Sequence, residues 1–106
     1  MTFTNLSDLT AREMVPGFHG KFVHTDGVTV AFWDIDAGAT LPSHAHPHEQ
    51  VTSVIDGQLE MTVGGVTRVL MAGMVVAIPG HVTHSARALT ACRLVDVFRP
   101  VREDYR

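Results

Sequence analysis

Seven histidines in 106 residues is a rich supply, but it is their spacing that points to chemistry. The stretch from Gly38 to Gly57 reads GATLPSHAHPHEQVTSVIDG. In an extended chain, residues two apart project to the same side, so His44 and His46 point together and Gln50 follows on the same parity. Pro47 bends the chain between them. Glu49 has the opposite parity and faces away in an unbroken strand, although a bulge at Pro47-His48 would exchange the two. The parity therefore favours Gln50 as an oxygen donor and leaves Glu49 as the alternative. A further histidine, His84, ends the stretch GMVVAIPGHVTH that starts at Gly73. There a strand stops at Pro79-Gly80 and a loop returns the chain toward His46. Imidazoles from separate segments plus one side-chain oxygen suit one divalent first-row ion, Ni, Zn, Fe, Mn or Co, with coordination left open for water or substrate. An open shell of this kind implies catalysis or ligand capture. His19 and His24 lie outside any cluster and read as surface residues. His48 reads as a loop residue beside the site, and His81 is either a mobile loop residue or part of the pocket rim.

Two further groups bear on what such a site would do. Cys92, Leu94, Asp96 and Phe98 alternate along one strand face, which directs Asp96 inward with apolar neighbours, where an unpaired carboxylate is costly. A nearby cation would keep it ionised while apolar walls raise its pKa, an environment suited to acid–base work. The alternative is a structural ion pair with Arg93, Arg99 or Arg102. With Gln50 in place of a carboxylate, neutral ligands leave the full dipositive charge of an ion exposed, so the site should favour anions.

The elements that must position these residues are strands. Short apolar or alternating runs, each closed by a turn signal, span Val28 to Ile35, Gln50 to Ile55, Gln58 to Val63, Val66 to Met71, Val75 to Ile78 and Cys92 to Phe98. Asp56-Gly57 and Gly64-Gly65 supply the positive φ angles of two-residue hairpin turns. Ser7 to Met14 reads as a short helical turn capped by Ser7 or Asp8. The chain is expected to fold as one all-β domain over residues 1–106, a small closed barrel or jelly roll.

Composition narrows the setting. Hydrophobic residues make up 45% and charged residues 18%, the balance of a compact globular protein. The net charge is −3, and the eight basic residues Arg12, Lys21, Arg68, Arg87, Arg93, Arg99, Arg102 and Arg106 are dispersed, which argues against nucleic acid as a partner. Cys92 is the single cysteine and sits in an apolar run, which is consistent with a buried thiol and a reducing cytoplasm. The N-terminal residues show no signal-peptide pattern, and no segment is long and apolar enough to be a membrane helix. Exposed strand edges and the apolar segment Val28 to Trp33 suggest a homodimer.

At these residues the sequence resembles the cupin superfamily. Gly38, His44, His46 and Gly57 match its first motif, with Gln50 at the acidic position, and Gly73, Pro79 and His84 match its second. His81 stands where the second motif has a glycine, and Ala88 where an asparagine is common. The two motifs cover about half the chain. The tail DVFRPVREDY, Asp96 to Tyr105, together with His-Ala-His-Pro-His-Glu-Gln, resembles the small single-domain cupins of the KdgF type, called pectin degradation proteins. That resemblance implies His44, His46, Gln50 and His84 as metal ligands, and Asp96, Phe98 and Arg102 as catalytic residues. It implies an isomerase-like conversion of 4,5-unsaturated uronates, released by pectin and alginate lyases, into linear keto sugars. Arg102 would hold a sugar carboxylate with paired hydrogen bonds, unless it is taken up by Glu103 or Asp104. A cupin dioxygenase and a non-enzymatic cupin that binds a small molecule are the two other readings of the same residues.

Overall fold

The computed structural model describes all 106 residues as ten strands in two antiparallel sheets that face one another across a common core. The strands are β1 (Arg12–Val15), β2 (Phe18–His24), β3 (Thr29–Ile35), β4 (Thr40–His44), β5 (Glu49–Asp56), β6 (Gln58–Val63), β7 (Val66–Met71), β8 (Val75–Ile78), β9 (His84–Ala88) and β10 (Cys92–Arg99). One sheet has the order β1-β2-β3-β10-β5-β8 and the other β4-β9-β6-β7. This is the expected all-β jelly roll, and the six apolar runs all become strands.

Four strands escape the apolar-run reading, and each for an identifiable reason. β2 carries His19, Gly20, Lys21 and His24 and so shows no clean alternation, while β4 contains Pro42. β9 is the polar sequence HSARA, whose inward residues are His84, Ala86 and Ala88. β1 overlaps the end of the segment expected to be a helical turn. Only Leu6–Asp8 makes a 3-10 turn there, capped by the Asn5 side chain, and the chain is already extended at Arg12.

The turn reading also needs one correction. Gly64-Gly65, with φ of 54° and 82°, closes a true hairpin in which Val63 pairs with Val66. Asp56-Gly57 does not close one: β5 and β6 lie in different sheets, so the chain changes sheet at this point. Gly57 is required there twice over, by a φ of 87° and by the Ala91 carbonyl oxygen, which would lie 2.2 Å from an added Cβ.

Inward side chains from both sheets make a single core that includes Phe18, Trp33, Ile35, Val54, Leu59 and Ile78. β3 pairs with β2 on one side and β10 on the other, and its residues Ala31 and Trp33 are buried within the chain. The outward residues of the same segment, Val28, Val30 and Phe32, remain half-buried, with Val30 beside Val97 in the register. Along β5 and β10 the inward rows run Val54–Leu94, Thr52–Asp96 and Gln50–Phe98, so the core is apolar at depth and becomes polar toward the mouth of the barrel. No helix is long and apolar enough to cross a membrane.

Candidate metal centre and the cavity beneath it

The mouth is where the chain crosses between sheets. β4 ends at His44 in the four-stranded sheet and β5 begins at Glu49 in the six-stranded sheet. His44, His46 and Gln50 thus do not share one strand, as the parity reading supposed; the crossing segment turns His46 back over the barrel. His84 opens β9 and pairs directly with His44 across the β4–β9 ladder. The ligand atoms of His44, His46 and His84 all lie within 4.8 Å of one another, and their rings are 4.3 to 5.6 Å apart between centroids.

Local backbone fixes the tautomer of each ring. Nδ1–H of His44 donates to the Pro42 carbonyl at 2.9 Å, that of His46 to the His48 carbonyl at 3.0 Å, and that of His84 to the Val82 carbonyl at 2.9 Å. Each Nε2 is left as a bare lone pair, the form that ligates a metal. Burial pushes His46 and His84 below the ordinary histidine pKa, with the Arg102 cation adding to the effect on both. Both are therefore neutral near pH 7.

The donor set passes a direct test of fit. Nε2 of His84 is buried with no hydrogen-bond partner, which is costly for a polar atom unless something fills its lone pair. Nε2 of His46 faces the Gln50 side-chain oxygen at 3.1 Å. Two acceptors at that distance repel unless a cation or proton lies between them. The opposite orientation of the Gln50 amide is disfavoured, because its nitrogen donates to Thr52 Oγ1 at 2.9 Å while that hydroxyl donates to Asp96 Oδ1 at 2.6 Å. Glu49 points outward and pairs with Arg99 at 2.7 Å, so Gln50 is the oxygen donor that the fold turns toward the histidines.

Beneath the histidines lies a cavity of about 70 Å³ whose walls include His44, His84, Gln50, Asp96, Phe98 and Arg102. Asp96 is buried and has no ion-pair partner among the arginines proposed for it, since Arg93 pairs with Asp34 and Arg99 with Glu49. Its carboxylate accepts instead from Thr52 and from the Trp33 indole N–H at 3.0 Å. Burial raises its pKa to about 6, against the opposing pull of Thr52, the nearby Gln50 amide, Trp33 and the Arg102 charge.

Arg102 is gripped rather than free. Its Nε and Nη2 donate to the two Asp104 oxygens at 3.0 and 2.8 Å, and its guanidinium carbon sits 4.7 Å from the Phe98 ring centre and 4.2 Å from that of Tyr105. Glu103 pairs with Arg106 instead. The Asp104 hydrogen bond keeps the Arg102 cation firmly protonated despite its burial. One edge of the fork is thus used internally, and Nη1 makes no hydrogen bond to protein. Phe98 packs edge-on to His46, with ring centres 5.8 Å apart.

Thr52 and Trp33 are the participants that the motif reading missed, whereas Asp104 is one of the two partners expected for Arg102. Thr52 was accessible in principle, because it continues the parity of Gln50 within a recognised strand. Of the other histidines, His19 contacts Asp36, and His24 contacts Thr29 and the Tyr105 carbonyl rather than the histidine cluster. His48 lies beside His46 at 5.4 Å between ring centres. His81 is exposed in the adjacent loop, its own N–H donating to the His46 carbonyl at 2.8 Å.

Two facing antiparallel sheets with three histidines at their mouth define a cupin, and the Cupin domain family matches residues 31–98, so the chain belongs to that family. KdgF from Halomonas sp. superposes with a TM-score of 0.92 at 29% identity, covering 98% of this chain and 97% of the other. An RmlC-like cupin from Shewanella frigidimarina superposes with a TM-score of 0.95 at 31% identity, covering 100% of this chain and 96% of the other. An uncharacterised protein of Streptomyces coelicolor is 29% identical over 85 residues, which are 79% of this chain and 81% of that protein.

Proposed function

We propose that this chain is a metal-dependent enzyme that converts 4,5-unsaturated uronates into linear keto sugars. The observation that carries the reading is the buried Asp96 carboxyl, which lines the same cavity as the histidine cluster and Arg102. The similarity to KdgF supports the substrate class.

His44, His46, His84 and Gln50 would hold one divalent ion, which when bound would supply a template and Lewis acid for an anionic substrate. Arg102, steadied by Asp104, Phe98 and Tyr105, presents its remaining donors to the anionic end of the sugar. Phe98 forms an apolar wall against the ring. Asp96, with a pKa of about 6, is poised to exchange a proton near neutral pH. In ring opening the bond between the anomeric carbon and the ring oxygen breaks, the anomeric hydroxyl gives up its proton to become an aldehyde, and the ring oxygen takes up a proton to become the enol hydroxyl on C5. Ketonisation then removes that hydroxyl proton and places one on C4, with no net gain or loss of protons or electrons. Asp96 moves that proton. The protein acts as a homodimer in this reading, joined through the outer face of the six-stranded sheet, where Val97, Val51 and Ala77 form one exposed cross-strand row.

The test is direct: metal-loaded protein is mixed with lyase-generated unsaturated uronate and the ultraviolet absorbance of the conjugated enol ether is followed. Acceleration over the spontaneous decay is expected, with and without oxygen. No acceleration for either pectin- or alginate-derived substrate overturns the ketonisation reading, and turnover that stops under anaerobic conditions favours a dioxygenase.

A further inference from the structure

We propose that Thr52 is a positioning residue for the metal centre, its hydroxyl fixing the Gln50 amide so that oxygen rather than nitrogen faces the histidines. The proposal rests on the reading of that centre as a metal site.

The hydrogen bonds have one direction. The Trp33 indole can only donate, and it donates to Asp96 Oδ2 at 3.0 Å. Asp96 Oδ1 accepts the only proton of the Thr52 hydroxyl at 2.6 Å. With that proton committed, Thr52 Oγ1 can only accept from Gln50, so the Gln50 nitrogen turns toward it at 2.9 Å. The amide oxygen is then left facing His46 Nε2 at 3.1 Å. Thr52 is 1% exposed, which shields these contacts from bulk solvent.

This chain also gives a physical reason for glutamine at position 50. A glutamate would offer Thr52 only acceptors, and two carboxylates would contend for one hydroxyl proton. An amide donates toward Thr52 and still keeps an oxygen for the ion. Gln50, Thr52 and Asp96 are a matched set, each placed inward on β5 or β10 with Thr52 directly opposite Asp96 in the register.

The experiment measures divalent-metal affinity by competition with a chromophoric chelator, so that it does not depend on turnover. Thr52→Val keeps the shape and removes the hydroxyl, and it should weaken metal binding about ten- to a hundred-fold, the usual effect of losing a group that orients a ligand. Thr52→Ser restores the hydroxyl and should return affinity to within a few-fold of wild type. Thr52→Ala replaces the valine variant if the latter fails to fold. In a Gln50→Ala background the loss of the Thr52 hydroxyl should have no further effect. Wild-type affinity in Thr52→Val, or Thr52→Ser as weak as Thr52→Val, overturns the proposal. Wild-type protein that takes up no divalent metal overturns the metal reading itself, and Thr52 with it.

Discussion

At the scale of single residues, the sharpest expectations concern His84 and Asp96. His84→Ala removes an imidazole whose lone pair is buried and otherwise unpartnered, and the purified variant should lose most of its metal, measured by elemental analysis against one ion per chain for wild type. Asp96→Asn should still fill with metal at saturating concentration, though at weaker affinity because the amide leaves one acceptor for both Thr52 and Trp33, and should lose turnover, because the amide cannot carry the proton. Its stability should also report on the carboxyl. In the unfolded chain an aspartate titrates near 3.8, in this fold near 6, so folding takes up a proton between those values. That contribution is present in full below the unfolded pKa and is lost as pH rises through about 6. Above that, ionising Asp96 costs the metal-free fold roughly 3 kcal/mol. Denaturant unfolding of the metal-free proteins should therefore show Asp96→Asn gaining on wild type between pH 4 and pH 8. A constant difference across that range would mean that the carboxyl is not buried as described.

The element scale shows what the sequence could and could not reveal. Inward-facing Gln50, Asp96 and Phe98 were legible because they lie on β5 and β10, strands with clean alternation whose parity survives into the fold. The convergence of His44, His46 and His84 was legible as a set, but not for the reason spacing suggested. Their meeting depends on a sheet change between β4 and β5 and on the β4–β9 pairing, neither of which leaves a periodic trace. The sequence offers Glu103 and Asp104 alike as holders of Arg102, because the two carry the same charge, and only the geometry of the final turn separates them. The loops over the mouth are close-fitted as well. An added Cβ on Gly80 would lie 2.4 Å from the Pro47 carbonyl oxygen, and His81, with φ of 67°, occupies the left-handed conformation at the position where the family's motif has glycine. Gly80→Ala should push the crossing segment outward, costing roughly 1 to 3 kcal/mol and weakening metal retention together with stability, as read by a melting curve with and without added ion. Unchanged melting would show that the two loops have room to part.

For the molecule as a whole, the outer face of the six-stranded sheet leaves Val51, Ile55, Val75 and Val97 exposed on neighbouring strands, a self-complementary patch suited to a two-fold interface. Light scattering should give a dimer mass, and Val97→Asp should shift it to a monomer; a monomeric wild type would remove the expectation. The other molecular feature is the origin of the donors. His44 and His84 belong to one sheet, Gln50 to the other, and His46 to the segment between. An ion held there is a cross-link in a chain whose single cysteine can form no internal disulfide. It joins the two sheets at the end where the core is least apolar. Because the unfolded chain does not hold these four groups together, every tenfold rise in free metal above its dissociation constant adds about 1.4 kcal/mol to the folded state. The melting temperature should climb with metal concentration without levelling off, and a chelator should both lower it and speed unfolding. Metal supply would then govern how long the protein persists as well as what it can do.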